Sequence, residues 1–83
     1  MKNKMDEDEL RKLIGMRIAI SRKAVGMSQD DLAAALEVDK MTISRWERGT
    51  RSPNGAKLYA LTQKLGCSAD FLFGLSDTLT IRK

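Results

Sequence analysis

The side chains that most often carry out acid–base and nucleophilic chemistry are scarce in this chain of 83 residues. It contains no histidine and a single cysteine, Cys67. Without histidine, no imidazole is available to activate Cys67 or a serine hydroxyl, and a Cys/His zinc site is excluded. One cysteine cannot build a disulfide framework either. These residues favour a binding protein over an enzyme, and we expect neither a metal, a cofactor nor a small-molecule substrate.

Basic residues, in contrast, are concentrated in one part of the sequence. Residues 40–57 contain five basic side chains and one acidic side chain, and this stretch alone accounts for the net charge of +4 of the whole chain. A focused positive surface is typical of proteins that bind a polyanion. A solvated basic helix face would have the same composition, so charge alone leaves both interpretations open. The basic residues are Lys40, Arg45, Arg48, Arg51 and Lys57.

Length and composition predict a single small domain. Apolar residues make up 42% of the chain and charged residues 31%, with one proline, which is ordinary for a folded soluble protein. No apolar run approaches the roughly 18 residues of a membrane helix, and the N-terminus is charged where a signal peptide would be apolar. We therefore expect a cytoplasmic protein without membrane contact. Its expected parts are a flexible tail over residues 1–8, a domain over 9–74 and a second tail over 75–83.

Helical periodicity and capping residues predict an all-α fold. Apolar residues recur every four positions from Leu10, which predicts a first helix over residues 9–24 that Gly26 ends. Gly15 inside this helix costs about 1 kcal/mol relative to alanine, so it indicates a close approach of another backbone. N-capping residues and stop glycines predict four further helices. They cover residues 29–36, 40–48, 55–64 and 69–73.

The helix predicted over residues 40–48 has two different sides. Ile43 and Trp46 are three positions apart and are expected to pack in the core, whereas the opposite side is polar and basic. The preceding helix is separated from it by a turn of three to four residues, and the small side chain of Ala33 allows the two to pack closely. This arrangement is typical of a helix-turn-helix, whose second helix lies in the major groove of DNA.

The chain resembles the phage-repressor-like helix-turn-helix family, which comprises lambda-repressor-like and Cro/C1-type proteins. The resemblance implies a compact five-helix domain whose third helix reads DNA. It further implies a sequence-specific regulator of transcription that binds double-stranded DNA, most simply a phage or prokaryotic repressor that acts as a homodimer on a two-fold operator. The motifs that carry it span about residues 10–77 and are Ile14-Gly15, Arg22, the stretch 26–33, Val38, the stretch 42–44, the stretch 47–49, Pro53 and the stretch 65–74.

The resemblance also assigns roles to individual residues. Gln29 is expected to bind a DNA phosphate and to brace the first residue of helix 3. Arg22 and Glu47 are expected to form a partly buried ion pair between helices 1 and 3. The other expected DNA contacts lie on the outer side of helix 3 and in the loop after it. Lys40, Met41 and Arg45 are expected at base edges, and Lys40 is equally suited to a phosphate. Thr42 and Ser44 are expected to contact bases or phosphates. Arg48, Thr50 and Arg51 are expected to contact the phosphate backbone.

Two positions depart from the family pattern. Glu37 occupies a turn position that glycine often holds, and a left-handed conformation costs a non-glycine residue roughly 1 kcal/mol. Either the turn differs or the strain is tolerated. Met41 stands where a polar side chain is common, so it can make only an apolar contact, for example with a thymine methyl group.

The expected dimer surface lies on helix 5 and residues 75–83. Phe73, Leu75 and Leu79 are apolar there without an evident role in the core. An alternative interpretation is an antitoxin-like or coactivator-bridging module that mainly binds protein, whose DNA binding would be weak and independent of sequence. The basic outer face of helix 3 favours the regulator, because a protein-binding module has no need of it.

Overall fold

The computed structural model describes residues 5–79, and all regular secondary structure in that range is helical. The predicted all-α, five-helix fold is therefore confirmed. Residues 1–4 and 80–83, which belong to the two predicted tails, lie outside the described range. The helices are α1 (Glu7–Ala24), α2 (Gln29–Leu36), α3 (Lys40–Arg48), α4 (Gly55–Leu65) and α5 (Ala69–Leu72).

Each helix begins at a side chain that accepts a hydrogen bond from a backbone N–H of its first turn. These N-caps satisfy donors that the helix itself cannot pair. At α1 the cap is Asp6, and Glu9 bonds back to the N–H of Asp6 to complete a capping box. This box starts α1 at Glu7, two residues earlier than the periodicity predicts. The other caps are Ser28, Asp39, Asn54 and Ser68.

Helices α1 and α3 cross with their backbones nearly in contact at Gly15. A Cβ atom on Gly15 would lie 2.2 Å from the carbonyl oxygen of Trp46 and 2.7 Å from that of Glu47. Both distances are far shorter than any van der Waals contact, so only glycine fits. The close approach predicted from this mid-helix glycine is confirmed, and it places the end of α3 directly against α1.

The core lies between all five helices. Ile18, Leu32, Ile43 and Leu61 are fully buried and come from four different helices. Trp46 is buried as predicted. Cys67 is also buried, a small apolar side chain just before α5. Among the described residues, no helix is long and apolar enough to cross a membrane.

The chain after α5 is fastened to α1 by Arg17. The guanidinium of Arg17 donates to the carbonyl oxygens of Phe71 and Ser76 and to the carboxylate of Asp77, and it lies 4.2 Å from the centre of the Phe71 ring. These bonds fold the segment 74–79 back onto α1.

The expectation that Phe73 and Leu79 have no role in the core is wrong, because the chain end is folded back in this way. Both side chains are partly buried and pack against the core cluster. Leu75 remains 77% exposed.

Candidate nucleic-acid interface

The turn between α2 and α3 is closed by Glu37 in the left-handed conformation. Glu37 has φ 59° and ψ 43°, and it is the non-glycine residue with positive φ among those described. The next residue, Val38, donates its backbone N–H to the carbonyl oxygen of Ala33 at 3.0 Å. The sequence left open whether the turn differs from the family pattern or Glu37 tolerates the strain. The structure shows that Glu37 tolerates it. The tight turn is therefore kept, and it fixes the angle between α2 and α3.

A carboxylate–guanidinium pair holds α3 onto the rest of the domain. Arg22 on α1 donates from Nε and Nη2 to the two carboxylate oxygens of Glu47 at 2.7 and 3.0 Å, and from Nη1 to the carbonyl oxygen of Met27 at 2.9 Å. Both side chains are about nine-tenths buried. The hydrogen bonds to Glu47 raise the pKa of Arg22 above its ordinary value. The predicted ion pair between helices 1 and 3 is confirmed.

Gln29, at the first position of α2, is held by the same carboxylate. Its Nε2 donates to Oε1 of Glu47 at 2.9 Å. The expectation that Gln29 braces the first residue of α3 therefore differs from the structure, in which the amide bonds seven residues further along that helix. The physical reason is that Glu47 offers a buried anionic acceptor, and hydrogen bonds to a charged group are the stronger ones. The second N–H of Nε2 and the backbone N–H at the start of α2 remain suited to an anion.

The outer face of α3 is exposed and its opposite face is buried. Lys40, Met41, Arg45 and Arg48 are exposed, while Ile43 is fully buried. Lys40 lies 3.9 Å from the carboxylate of Asp30, but both groups are largely in solvent, so this pair holds Lys40 only weakly. The arrangement presents a basic, hydrogen-bonding edge on a helix whose other side is fixed in the core.

Two hydroxyl groups, one on α3 and one in the loop after it, already donate within the chain. Thr42 Oγ1 donates to the carboxylate of Asp39 at 2.7 Å, and Thr50 Oγ1 donates to the carbonyl oxygen of Arg45 at 3.2 Å. Arg48 turns back along its own helix, with Nε 3.4 Å from the carbonyl oxygen of Ser44. Lys40, Arg45 and Arg51 therefore carry the charged donors of this region that are most available to a partner.

One side of α3 and the loop after it line a shallow pocket of about 270 Å³. The backbone N–H groups of Thr50 and Arg51 both donate to the carbonyl oxygen of Arg45, which folds the loop against the helix. Three of the predicted contact residues, Thr42, Arg45 and Arg51, meet in this pocket together with Trp46 and Ser52.

Two carboxylates that cap these helices have lowered pKa values. Hydrogen bonds from the side chain and backbone of Thr42 lower the pKa of Asp39, and the positive charge of Arg45 contributes less. Hydrogen bonds with Ser28, at the start of α2, lower the pKa of Asp31. Both groups are ionised at neutral pH, so each favours the positive end of its helix dipole.

Comparison with known proteins agrees with this geometry. Residues 18–72 match the family model described as helix-turn-helix. The chain belongs to the helix-turn-helix family. The predicted resemblance is confirmed, since repressors of phages are among the relatives of this helix-turn-helix chain.

Two relatives of this chain are considerably longer than it is. It is 43% identical over 65 residues to the HTH-type transcriptional regulator DicA of Escherichia coli (strain K12), which covers 77% of this chain and 48% of DicA. It is 42% identical over 60 residues to repressor protein C2 of Salmonella phage P22, which covers 72% of this chain and 28% of C2. The chain thus spans half or less of the length of these two relatives.

A solved structure shares the fold. The crystal structure of the P22 c2 repressor protein in complex with a synthetic operator matches this helix-turn-helix domain with a TM-score of 0.68 and 40% sequence identity. The match covers 72% of this chain and 91% of that chain.

The structure separates two basic residues that the sequence groups together. Lys57 belongs to the basic stretch, but its Nζ donates to the carbonyl oxygen of Leu36 at 2.9 Å and so caps the end of α2. Arg51 stays exposed beside the pocket. The periodicity of the sequence offers no signal for this difference, because it depends on how α4 packs against α2.

Two residues near the interface were not predicted. Ser52 lines the pocket beside Arg51, and its only sequence signal is its place in the loop. Arg11 on α1 donates from Nε to the carbonyl oxygen of Gly49 at 2.9 Å, which satisfies the C-terminal end of α3. The two residues are 38 positions apart in the chain, so no local pattern reveals the contact.

Proposed function

We propose that this chain binds double-stranded DNA sequence-specifically through α3 in the major groove and thereby regulates transcription, as a repressor of the phage type. One observation carries the proposal. The face of α3 that contains Arg45 is exposed and basic, while Ile43 and Trp46 on its other face are buried. A helix that is rigidly held in this way can enter a groove about 12 Å wide without losing its own packing.

The comparisons support the same proposal. P22 c2, a similar protein with the same fold, was crystallised with an operator. The first contacts we assign are those of the exposed face: Arg45 with a guanine, Met41 with a thymine methyl group and Lys40 with a base or a phosphate. We assign phosphate contacts to Gln29, Arg48, Thr50 and Arg51. We assign Thr42 and Ser44 to contacts with either a base or a phosphate. The two threonine hydroxyls must turn away from their present acceptors to donate to DNA.

The proposed activity is binding rather than catalysis, and repression is steric, because the bound protein occupies promoter DNA. A single module buries about 600–1,000 Å² on DNA, which gives modest affinity. We therefore propose that two copies bind a two-fold operator as a homodimer, with half-sites about 34 Å apart. A bacterial or phage regulator of this kind acts in the cytoplasm, where the DNA is.

Selection from a random oligonucleotide library tests this function. The bound DNA is expected to contain a two-fold sequence with half-sites one helical turn apart. A protein-binding module, the alternative class, would enrich no sequence. The same selection with the variant Met41→Lys provides a matched comparison, because a base-reading residue changes the selected sequence whereas a solvated one leaves it unchanged. Recovery of unselected sequences by the unaltered protein would contradict the proposal.

A further inference from the structure

The methionines of the described range differ in how far solvent reaches their side chains. Met5, Met16 and Met41 are 51%, 51% and 52% exposed. Met27, in contrast, is partly buried and packs against the core cluster. Met5 precedes α1 and Met16 lies on it, whereas Met41 is the second residue of α3. An exposed thioether therefore lies on the helix that is proposed to enter the groove.

An exposed thioether can be oxidised to a sulfoxide. With hydrogen peroxide, one oxygen atom bonds to a lone pair of the sulfur, the O–O bond breaks, and the other oxygen leaves with both hydrogens as water. The sulfur is oxidised and the peroxide oxygen is reduced, so the reaction needs no further oxidant or reductant. Methionine sulfoxide reductases reverse it, one enzyme for each epimer of the sulfoxide.

Oxidation of Met41 changes the polarity of the α3 surface and leaves its charge unchanged. The thioether is flexible and apolar, whereas the sulfoxide is polar and carries an oxygen that accepts hydrogen bonds. An apolar side chain at this position can pack against the methyl group of a thymine. A sulfoxide oxygen finds no donor on that methyl group, so oxidation removes the contact.

Arg45 is the neighbour of Met41 one helical turn along α3. Side chains four positions apart lie on the same face of a helix and interact, and both of these are exposed. The sulfur of a thioether is a weak acceptor for a guanidinium, whereas the oxygen of a sulfoxide is a stronger one. Oxidation therefore gives the guanidinium of Arg45 a partner within its own helix, which competes with a guanine base.

We propose that Met41 is a site of reversible oxidation by peroxide, and that its sulfoxide weakens sequence-specific DNA binding by removing an apolar contact and by engaging Arg45. The effect on binding rests on the proposed function, whereas the oxidation and the contact with Arg45 do not. The N-terminal residues of a recognition helix reach the base edges, and Met41 is one of them. Because half of its side chain is exposed, oxidation should leave the melting temperature unchanged.

The expected effect is confined to the preferred DNA sequence. Loss of a base contact costs about as much as a mismatched base pair, so the oxidised protein should bind the selected operator about tenfold more weakly. A random duplex is held mainly through its phosphates, and its affinity should change little. The salt slope should stay the same, because oxidation neither adds nor removes a charge.

Peroxide treatment of the whole chain tests the proposal. The reaction is stopped with catalase, peptide mass spectrometry measures the sulfoxide at each methionine, and fluorescence anisotropy measures operator binding. The double variant Met5→Leu with Met16→Leu removes the two other methionines of equal exposure and should lose affinity on treatment as the unaltered protein does. Met41→Leu, compared with itself before treatment, should lose none. Met1 is present in all three proteins, so it does not explain a difference between them.

The outcomes separate the oxidation site from the DNA function. A sulfoxide that forms at Met16 but not at Met41 overturns the site. Complete oxidation of Met41 without loss of affinity, or an equal loss in Met41→Leu, overturns its effect on binding. In the free protein, the ¹H–¹⁵Nε resonance of Arg45 should shift when Met41 is oxidised, and an unchanged resonance overturns that contact.

A protein that binds no duplex before treatment overturns the DNA function, and the mass spectra and the Arg45 resonance then decide the oxidation site alone. Treatment with both methionine sulfoxide reductases should restore operator affinity. Affinity that stays low after mass spectrometry shows Met41 to be reduced again would contradict the reversibility.

Discussion

Arg45 and Arg51 have the same charge and line the same pocket, but they are expected to affect DNA binding differently. Arg45 lies on α3, the helix that is proposed to enter the groove, and Arg51 lies in the loop after it. We predict that Arg45→Ala costs about 1–3 kcal/mol on the selected operator and relaxes preference at one base pair. Arg51→Ala should weaken all sequences alike. Fluorescence anisotropy on cognate and random duplexes measures both, and equal losses by Arg45→Ala on the two duplexes would contradict its role at a base.

Glu47 is the residue on which the attachment of α3 depends most. Its carboxylate accepts from Arg22 and Gln29, and removing it leaves the buried guanidinium of Arg22 without its partner. Breaking a buried pair from one side costs about 3–5 kcal/mol, which is a large part of the stability of a small domain. We predict that Glu47→Ala lowers the free energy of unfolding by that amount in urea titrations. The double variant Arg22→Met with Glu47→Leu is the control and should lose much less.

At the residue scale, the sequence predicts the ion pair between helices better than it predicts the other side-chain hydrogen bonds. The pair between Arg22 and Glu47 follows from the resemblance, because both residues stand in recognisable motifs. The bond from Gln29 to Glu47 does not follow, because it depends on the side-chain conformations that α1, α2 and α3 impose jointly. The same is true of Thr42 and Thr50, whose hydroxyl protons are already donated within the chain.

At the scale of helices, two glycines should respond oppositely to the same substitution. Gly15 lies against the carbonyl oxygens of Trp46 and Glu47, while Gly55, at the first position of α4, has open space around it. Alanine gains about 1 kcal/mol of helix propensity, but at Gly15 the clash with a rigid backbone costs more. We predict that Gly15→Ala lowers the midpoint of thermal unfolding by about 10 °C or more and that Gly55→Ala raises it slightly. A stabilised Gly15→Ala would show that α1 can move away from α3.

The N-cap of α3 should make its stability depend on pH. The pKa of Asp39 in the folded chain is lower than its ordinary value of 3.8, because Thr42 donates to the ionised carboxylate. A lowered folded pKa gives stability that is present above the unfolded pKa and is lost as pH falls through the folded pKa. We predict that Asp39→Asn, which keeps a cap that cannot titrate, loses less stability than the unaltered protein between pH 5 and about 2. Circular dichroism melts at each pH measure this, and parallel losses in both proteins would contradict it.

Helix positions follow from local rules, whereas the way helices fasten to one another does not. Ser28 and Asp39 predict the starts of α2 and α3 to the residue, because capping involves only neighbours in the chain. The cap that Lys57 provides to α2 joins residues 21 positions apart. No local signal distinguishes this lysine from the exposed basic residues.

At the scale of the whole molecule, some basic residues are exposed on the candidate interface, whereas others stabilise the fold. The basic stretch predicts where exposed basic groups lie, because α3 and its loop do carry them. Lys57, the last basic residue of the stretch, stabilises the fold instead, because its Nζ donates to the carbonyl oxygen of Leu36. The same distinction applies to the chain end. Phe73 and Leu79 are used in the core, and Leu75 is the large apolar side chain there that solvent still reaches.

Leu75 is therefore the position at which the proposed homodimer can be tested most directly. Arg17 holds the chain on either side of it through the carbonyl oxygens of Phe71 and Ser76, so Leu75 sits on a fixed part of the surface. A two-fold operator with half-sites one helical turn apart requires the two α3 helices to lie about 34 Å apart, so the proposed dimer contact has to hold them at that separation. In a two-fold dimer the same surface of each copy forms the contact, so Leu75→Glu places a negative charge there from both copies. We expect this variant to shift the sedimentation coefficient toward that of the monomer.

The same variant should separate dimer formation from DNA recognition. Because α3 is untouched, affinity for a single half-site should stay within about twofold, whereas the gain from joining two half-sites should disappear. A chain that ends at Gly74 should also be monomeric, but it removes Asp77 and Leu79 as well, and so it weakens the fold. Leu75→Glu keeps those contacts and is the cleaner test. A dimer of undiminished stability in both variants would place the interface elsewhere, and the apolar groove between α4 and α5, where Tyr59 is exposed, would be the next surface to alter.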